Sequence, residues 1–486
     1  MTTPSRLLWF LSLVGLALVG LARSECTWVD HQGPRPNSTW REYDTAKVGR
    51  ASNKGWQFLP TTDVCQADLL RNFTVTSDGL TLPIYMTSDV DYSRVTRAVV
   101  VIAGKNRDTW SYFNLMRNAR NLAAATFDSV STETVAVLSP MFMTVADKEA
   151  GAPIASDLIW DGDNWSTGRF ASLPENTTAE STASFDVLDV LLANIASKYP
   201  TIRQVVVAGH SMGAQMISRF SVLRNSGQAG ESTTTSYFIA NPGSWLWLEE
   251  GRPFPDPGCQ GFDTYKYGLN ESIPAYAKRE FRSLGRNGTV TRAIGRRLNL
   301  LVGQNDNGRG DIRCQALTQG HTHKERGYMF KGSVTNITGS YPAAWTFDEV
   351  PGCTHNDKCM FQANISMQRL FIDENPPPPS PVKESSDPHP ALFDLTDAPS
   401  SGEGEGGDDS GQSHDGPEVA EAEPYPSNQP QAPDSPKADL PQADGGVAAL
   451  PSSQTPSTSA PSAGEPRRRL ANQSGGGGPS ILPWLF

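Results

Sequence analysis

The 486-residue sequence has no internal repeat and only six cysteines. The missing repeat excludes solenoids and propellers, which need self-similar units to stack. The cysteines are Cys26, Cys65, Cys259, Cys314, Cys353 and Cys359, and none stands at metal-ligand spacing. No metal site is expected from them. The net charge of −11 is a property of one region: residues 373–486 carry 18 acids and 5 bases, leaving the rest at +2. A near-neutral body argues against a nucleic-acid partner. Long apolar runs are also scarce. The closing Ile481–Phe486 is too short for a membrane span or a GPI signal.

What is present first points to export. Arg6 precedes an apolar stretch from Leu7 to Leu21, and the small residues Ala22 and Ser24 follow. This predicts a signal peptide over residues 1–24, cleaved after Ser24, with no stable membrane span afterwards. Sequons occur at Asn37, Asn72, Asn164, Asn176, Asn270, Asn287, Asn336, Asn364 and Asn472, which suggests a secreted, extracellular glycoprotein. An even cysteine count then implies disulfides. Fifteen pairings are open. The preferred set is Cys26–Cys65, Cys259–Cys314 and Cys353–Cys359, the last bracing the segment around residue 355. From Asn375 the composition turns to Pro, Ser, Gly, Asp and Glu, so residues 373–486 are expected to be a disordered tail.

Gly209-His210-Ser211-Met212-Gly213 is the most informative stretch. It follows the β-branched run Gln204–Ala208, a buried strand by pattern, and precedes a helical spacing of Met216, Phe220 and Leu223. Strand, tight turn and helix lift a serine hydroxyl clear of a sheet, and the flanking glycines remove side chains that would collide. An acid and a histidine are then sought downstream. The strand pattern Leu298–Gly303 is followed at once by Asp306, where a strand's C-terminal edge meets ligand. Asp311, five residues on, is the alternative. Among seven histidines, His355 follows the alternating strand Trp345–Val350. His321 and His323 lie in a polar stretch and read as a solvated face, or as a weak metal pair. Strand patterns at Thr134–Leu138 and Ser236–Asn241, with a helix over Ala183–Tyr199, complete an alternating α/β order.

Elbow, post-strand acid and post-strand histidine together resemble the α/β-hydrolase superfamily, and more narrowly its secreted serine esterases. The likeness covers about residues 70–372, after an N-terminal extension at 25–69. It implies a mostly parallel sheet with helices on both faces and a Ser211–His355–Asp306 triad. It implies no cofactor and a small-molecule or polymeric acyl substrate. The oxyanion donors it implies are the N–H of Met212 and that of Gly104 or Lys105, with Ala103 where the superfamily commonly has histidine. An ester is the first substrate class and an amide or peptide the second. A non-enzymatic surface glycoprotein is the reading from another class. The interval 242–297 is long enough for a cap-like insertion, whose aromatics either line a pocket or pack it onto the body.

Overall fold

A computed structural model describes residues 26–44, 55–61, 64–228 and 234–373. The expected signal segment, the sequon at Asn472 and the tail beyond Asp373 lie outside the described residues.

Eight strands form the central sheet: β1 (Ala67–Thr74), β2 (Thr81–Thr87), β3 (Arg97–Ile102), β4 (Val135–Pro140), β5 (Gln204–His210), β6 (Thr234–Ala240), β7 (Arg297–Gly303) and β8 (Trp345–Val350). Their spatial order is β1-β2-β4-β3-β5-β6-β7-β8. The pairs β1–β2 and β2–β4 are antiparallel, and the rest are parallel. The parallel strands read as unbroken apolar runs because both faces are covered. Alternate side chains separate accordingly. Ala98, Val100, Val205, Val207, Ile239 and Leu300 face one core, while Val99, Val101, Val206, Ala208, Phe238 and Leu301 face the other.

The helices that matter for the site are α1 (Thr109–Thr126), α2 (Ser184–Lys198), α3 (Met212–Leu223), α4 (Ala275–Ile294), α5 (His323–Thr338) and α6 (Asp357–Gln362). The first core takes Phe185, Leu188, Leu192 and Ile195 of α2 and Met216, Ile217 and Phe220 of α3. The second takes Trp110, Phe113, Met116 and Ala123 of α1, with Phe361, Leu370 and Phe371 from the end of the domain. Each buried Leu, Phe or Met contributes about 1.5–3 kcal/mol.

The segment before the sheet is not a loose extension. The hairpin of Trp28–Gln32 and Thr39–Tyr43 packs on α1. Asn118 accepts the Tyr43 N–H at 2.9 Å and donates to the Tyr43 carbonyl at 2.9 Å. The Arg117 guanidinium lies 3.8 Å from the Tyr43 ring centroid. The sheet itself begins at Ala67, three residues before the expected boundary.

Between β6 and β7, residues 242–274 run without strand or helix before α4. Trp245 and Trp247 are buried in the first core, and Trp245 stacks on Phe330 of α5 at 4.4 Å. The Tyr276 hydroxyl donates to Asp189 of α2 at 2.5 Å. Trp245, Trp247 and Tyr276 thus pack the insertion onto the body, whereas Phe262 is exposed. The preferred cysteine pairs are the ones bonded here, Cys26–Cys65, Cys259–Cys314 and Cys353–Cys359. The second ties the insertion to the segment after β7. Of the eight described sequon asparagines, seven are exposed, while Asn164 is half-buried beside buried Trp165 and Ser166.

Candidate active site

Ser211 is the residue between β5 and α3, and its φ is 58° and ψ −121°. A positive φ at a non-glycine residue is strained and persists only where the surroundings enforce it. Two glycines permit the turn. A Cβ on Gly209 would lie 2.6 Å from the Gly213 carbonyl carbon, and one on Gly213 would lie 2.3 Å from the Ile102 carbonyl oxygen. The Ser211 N–H donates to the Ala240 carbonyl at 3.0 Å, so the turn is held to the end of β6 as well.

The acid comes from the turn after β7. Asp306 is 1% exposed. The histidine comes from the turn after β8, and its Nδ1 is 2.7 Å from Asp306 Oδ2. His355 Nε2 is 3.0 Å from Ser211 Oγ. Three residues separated by up to 144 positions thus form one hydrogen-bonded line. Asn241 secures the turns: its Oδ1 accepts the Gly303 N–H at 2.8 Å, and its Nδ2 donates to the Thr354 carbonyl at 3.3 Å. The Asn305 N–H reaches the Cys353 carbonyl at 2.8 Å. The Cys353–Cys359 bond brackets His355, and Asn356 caps α6 through the Cys359 N–H.

Asp311 stands elsewhere. It accepts from Arg313 Nε at 2.7 Å and from the Tyr267 hydroxyl at 2.8 Å. His321 is exposed and pairs with Glu325. His323 is not on a solvated face, contrary to expectation: it is 5% exposed, and its Nδ1 is 3.0 Å from Asp306 Oδ1. Its ring stacks on that of His355 with centroids 4.1 Å apart and planes at 15°. One signal for this was available. Thr322-x-x-Glu325 is a helix-start pattern, and Thr322 does accept the Glu325 N–H at 3.1 Å. That cap sets His323 at the first position of α5. Asp306, His323 and His355 are residue types that bind metals. In this arrangement each Nδ1 bonds a separate carboxylate oxygen directly.

The electrostatics follow from burial and pairing. Burial opposes ionisation of Asp306, but hydrogen bonds from His323 and His355 outweigh it and hold the carboxyl well below its ordinary range. Burial holds His323 and His210 below the ordinary histidine range. The His210 ring also packs on His355, with ring centroids 4.5 Å apart and planes at 45°. Among the described residues neither ring nitrogen of His210 has a hydrogen-bond partner.

Of the expected anion donors, Met212 is the first residue of α3, so its N–H has no partner within the helix. Gly104 is buried against the Tyr112 phenol, whose oxygen would lie 2.5 Å from a Cβ at that position. Lys105 is exposed. Their turn is anchored by the buried pair Arg107–Asp147, bonded through Nε and Nη2 at 3.0 Å each, and by Trp56 Nε1 on the Asn106 carbonyl at 2.8 Å.

Antiparallel entry strands, the order β1-β2-β4-β3-β5-β6-β7-β8 and a serine elbow after β5 decide the architecture. The chain has the α/β-hydrolase fold. No family model and no curated protein matches the sequence. Among solved structures the chain is similar to poly(aspartic acid) hydrolase-1 from Sphingomonas sp. KT-1, at 18% identity over 63% of this chain and 97% of that one, TM-score 0.42. It is similar to the poly(3-hydroxybutyrate) depolymerase LpqC from Bordetella parapertussis, at 18% identity over 64% and 91%, TM-score 0.44. An S-formylglutathione hydrolase from Agrobacterium tumefaciens matches at 12% identity over 63% and 94%, TM-score 0.34. The assignment of this α/β-hydrolase fold stands on its own strand order and elbow.

Proposed function

We propose that the protein is an exported serine hydrolase that cleaves a carboxylic ester through an acyl-enzyme. The observation that carries this is His355 Nε2 at 3.0 Å from Ser211 Oγ, with Asp306 at 2.7 Å behind it. Asp306 accepts a hydrogen bond from Nδ1–H, which leaves the unprotonated Nε2 as the acceptor for the serine proton. Ser211 attacks the acyl carbon as His355 takes that proton. His355 then returns it to the departing alcohol, and water repeats the sequence on the acyl-enzyme. The N–H groups of Met212 and Lys105 are the proposed oxyanion donors, each contributing roughly 3 kcal/mol.

The apolar N-terminal stretch, the sequons and three bonded cysteine pairs support export. Among the described residues no helix is long and apolar enough to cross a membrane. The test is turnover of matched ester and amide substrates, graded in acyl-chain length, by the full secreted chain. Ester turnover with a burst equal to the enzyme concentration supports the proposal. Turnover of the amides alone would replace ester by amide, and no turnover of either by a folded protein would refute it.

A further inference from the structure

Asp306 is shared. Its Oδ2 faces His355 Nδ1 and its Oδ1 faces His323 Nδ1, at 2.7 and 3.0 Å. The Gly308 N–H adds a longer contact to Oδ1 at 3.3 Å. Sharing sets the hydrogens. An ionised carboxylate only accepts, so both Nδ1 atoms carry the proton. His323 therefore presents a fixed donor to the oxygen that His355 does not use.

We propose that His323 is a positioning residue of the catalytic line: its Nδ1–H locks the Asp306 carboxylate plane and divides its charge, so that His355 is held with Nε2 toward Ser211. The inference rests on the serine-hydrolase reading above. Several features keep His323 where this role needs it. Its backbone N–H donates to the Gly308 carbonyl at 2.9 Å, and the N–H of Lys324 reaches the Asp306 carbonyl at 3.2 Å. Gly310 has φ +58°, and a Cβ there would lie 2.2 Å from His323 Nε2, so the turn after Asp306 closes tightly over the ring. Arg326 pins that turn through the carbonyls of Arg309 and Asp311, each at 2.7 Å.

The role also needs a neutral donor. A cation at 4.1 Å would repel the imidazolium that His355 becomes during turnover. Among the described residues, three further groups act on the His323–His355 stack besides Asp306 and Ser211. His210 packs on His355, Arg326 is one turn along α5, and the positive end of α5 is at His323 itself. Arg326 and the helix end disfavour protonation of His323, as burial does. Burial thus keeps His323 and His210, the two rings packed on His355, toward the neutral form.

Two variants divide the role. His323→Leu removes the donor at similar volume. His323→Asn keeps an amide N–H near the Nδ1 position and removes the ring. Rates are normalised to active sites titrated by the ester burst, so misfolded protein does not count. His323→Leu is expected to lose about ten- to hundred-fold in kcat with little change in KM. Its kcat/KM profile is expected to move its acid limb upward by about half to one pH unit. The carboxylate, freed of one donor, concentrates its charge on His355 and favours the protonated ring. His323→Asn is expected to recover most of the rate and the unshifted limb. Equal acid limbs in wild type and His323→Leu would overturn the inference, because a purely structural loss lowers the rate at every pH alike. So would His323→Asn matching His323→Leu. Failure of the wild type to give a burst at all would instead overturn the serine-hydrolase reading.

Discussion

A Cβ atom on Gly213 would sit 2.3 Å from the carbonyl oxygen of Ile102. The elbow therefore rests directly on the end of β3, the strand that leads into the proposed anion-binding turn. Backbone, not a flexible side chain, occupies the space. Gly213→Ala should push β3 and α3 apart, at a cost of about 1–3 kcal/mol, and should lower kcat as Ser211 and Lys105 lose register. Gly332→Ala is the control. It lies in α5 with nothing within 4 Å of the new methyl, and should be neutral or stabilise by about 0.5–1 kcal/mol. Melting curves and rates of the two variants check this.

Asp306→Asn should lose about ten-thousand-fold in kcat. The amide cannot accept from both His355 and His323, and it favours the wrong tautomer. Asp311→Asn should lose far less, because the Asp311 carboxylate is engaged by Arg313 and Tyr267. The comparison of kcat for the two variants decides the acid.

Much of the site was legible because it is built from strand ends. A β-branched run followed by a glycine turn, and acids or histidines just past apolar runs, are local patterns. His323 was not legible as part of it. Its partner Asp306 is 17 residues away, and H-x-H in a polar stretch has no period that marks one histidine as buried. A polar helix face can likewise be interior: Asn114, Arg117, Asn118 and Asn121 of α1 are all buried, and the three asparagines donate to carbonyls of the N-terminal hairpin segment. Trp245 and Trp247 could equally have lined a pocket, and only their contact with Phe330 settles them into the core. In each case a contact between distant segments decided what local sequence left open.

Stability should fall as the pH drops through the histidine range. His210 and His323 have pKa values held below the ordinary range by burial. Below about pH 6.5 the unfolded chain takes up protons at both that the folded chain does not, so stability is lost as pH falls. Asp306 acts lower down: its depressed pKa contributes stability present above about pH 3.9, which is lost as pH falls toward the folded value. Denaturant unfolding between pH 7.5 and 5 checks the first part. His210→Leu should flatten the slope by up to about 1.4 kcal/mol per pH unit, one proton's worth. Parallel curves would contradict it.

The folded part should end just after Asp373. The Asp373 carboxylate pairs with Arg369 at 2.8 Å and Arg297 at 3.4 Å, and its carbonyl accepts from Arg97 at 2.9 Å. A secreted chain of residues 25–374 should match the full chain in rate and melting temperature. A chain ending at Leu370 should melt lower, since it loses Phe371 from the second core together with these pairs.

The central claim is that Ser211 is a nucleophile activated by His355. The direct measurement is labelling by a fluorophosphonate, with the modified peptide located by mass spectrometry. The account predicts a single adduct on Ser211 in the wild type. It predicts none in Ser211→Ala, and labelling slowed by several orders of magnitude in a folded His355→Ala protein. An unlabelled wild type, or an adduct at another residue that persists in Ser211→Ala, would contradict it.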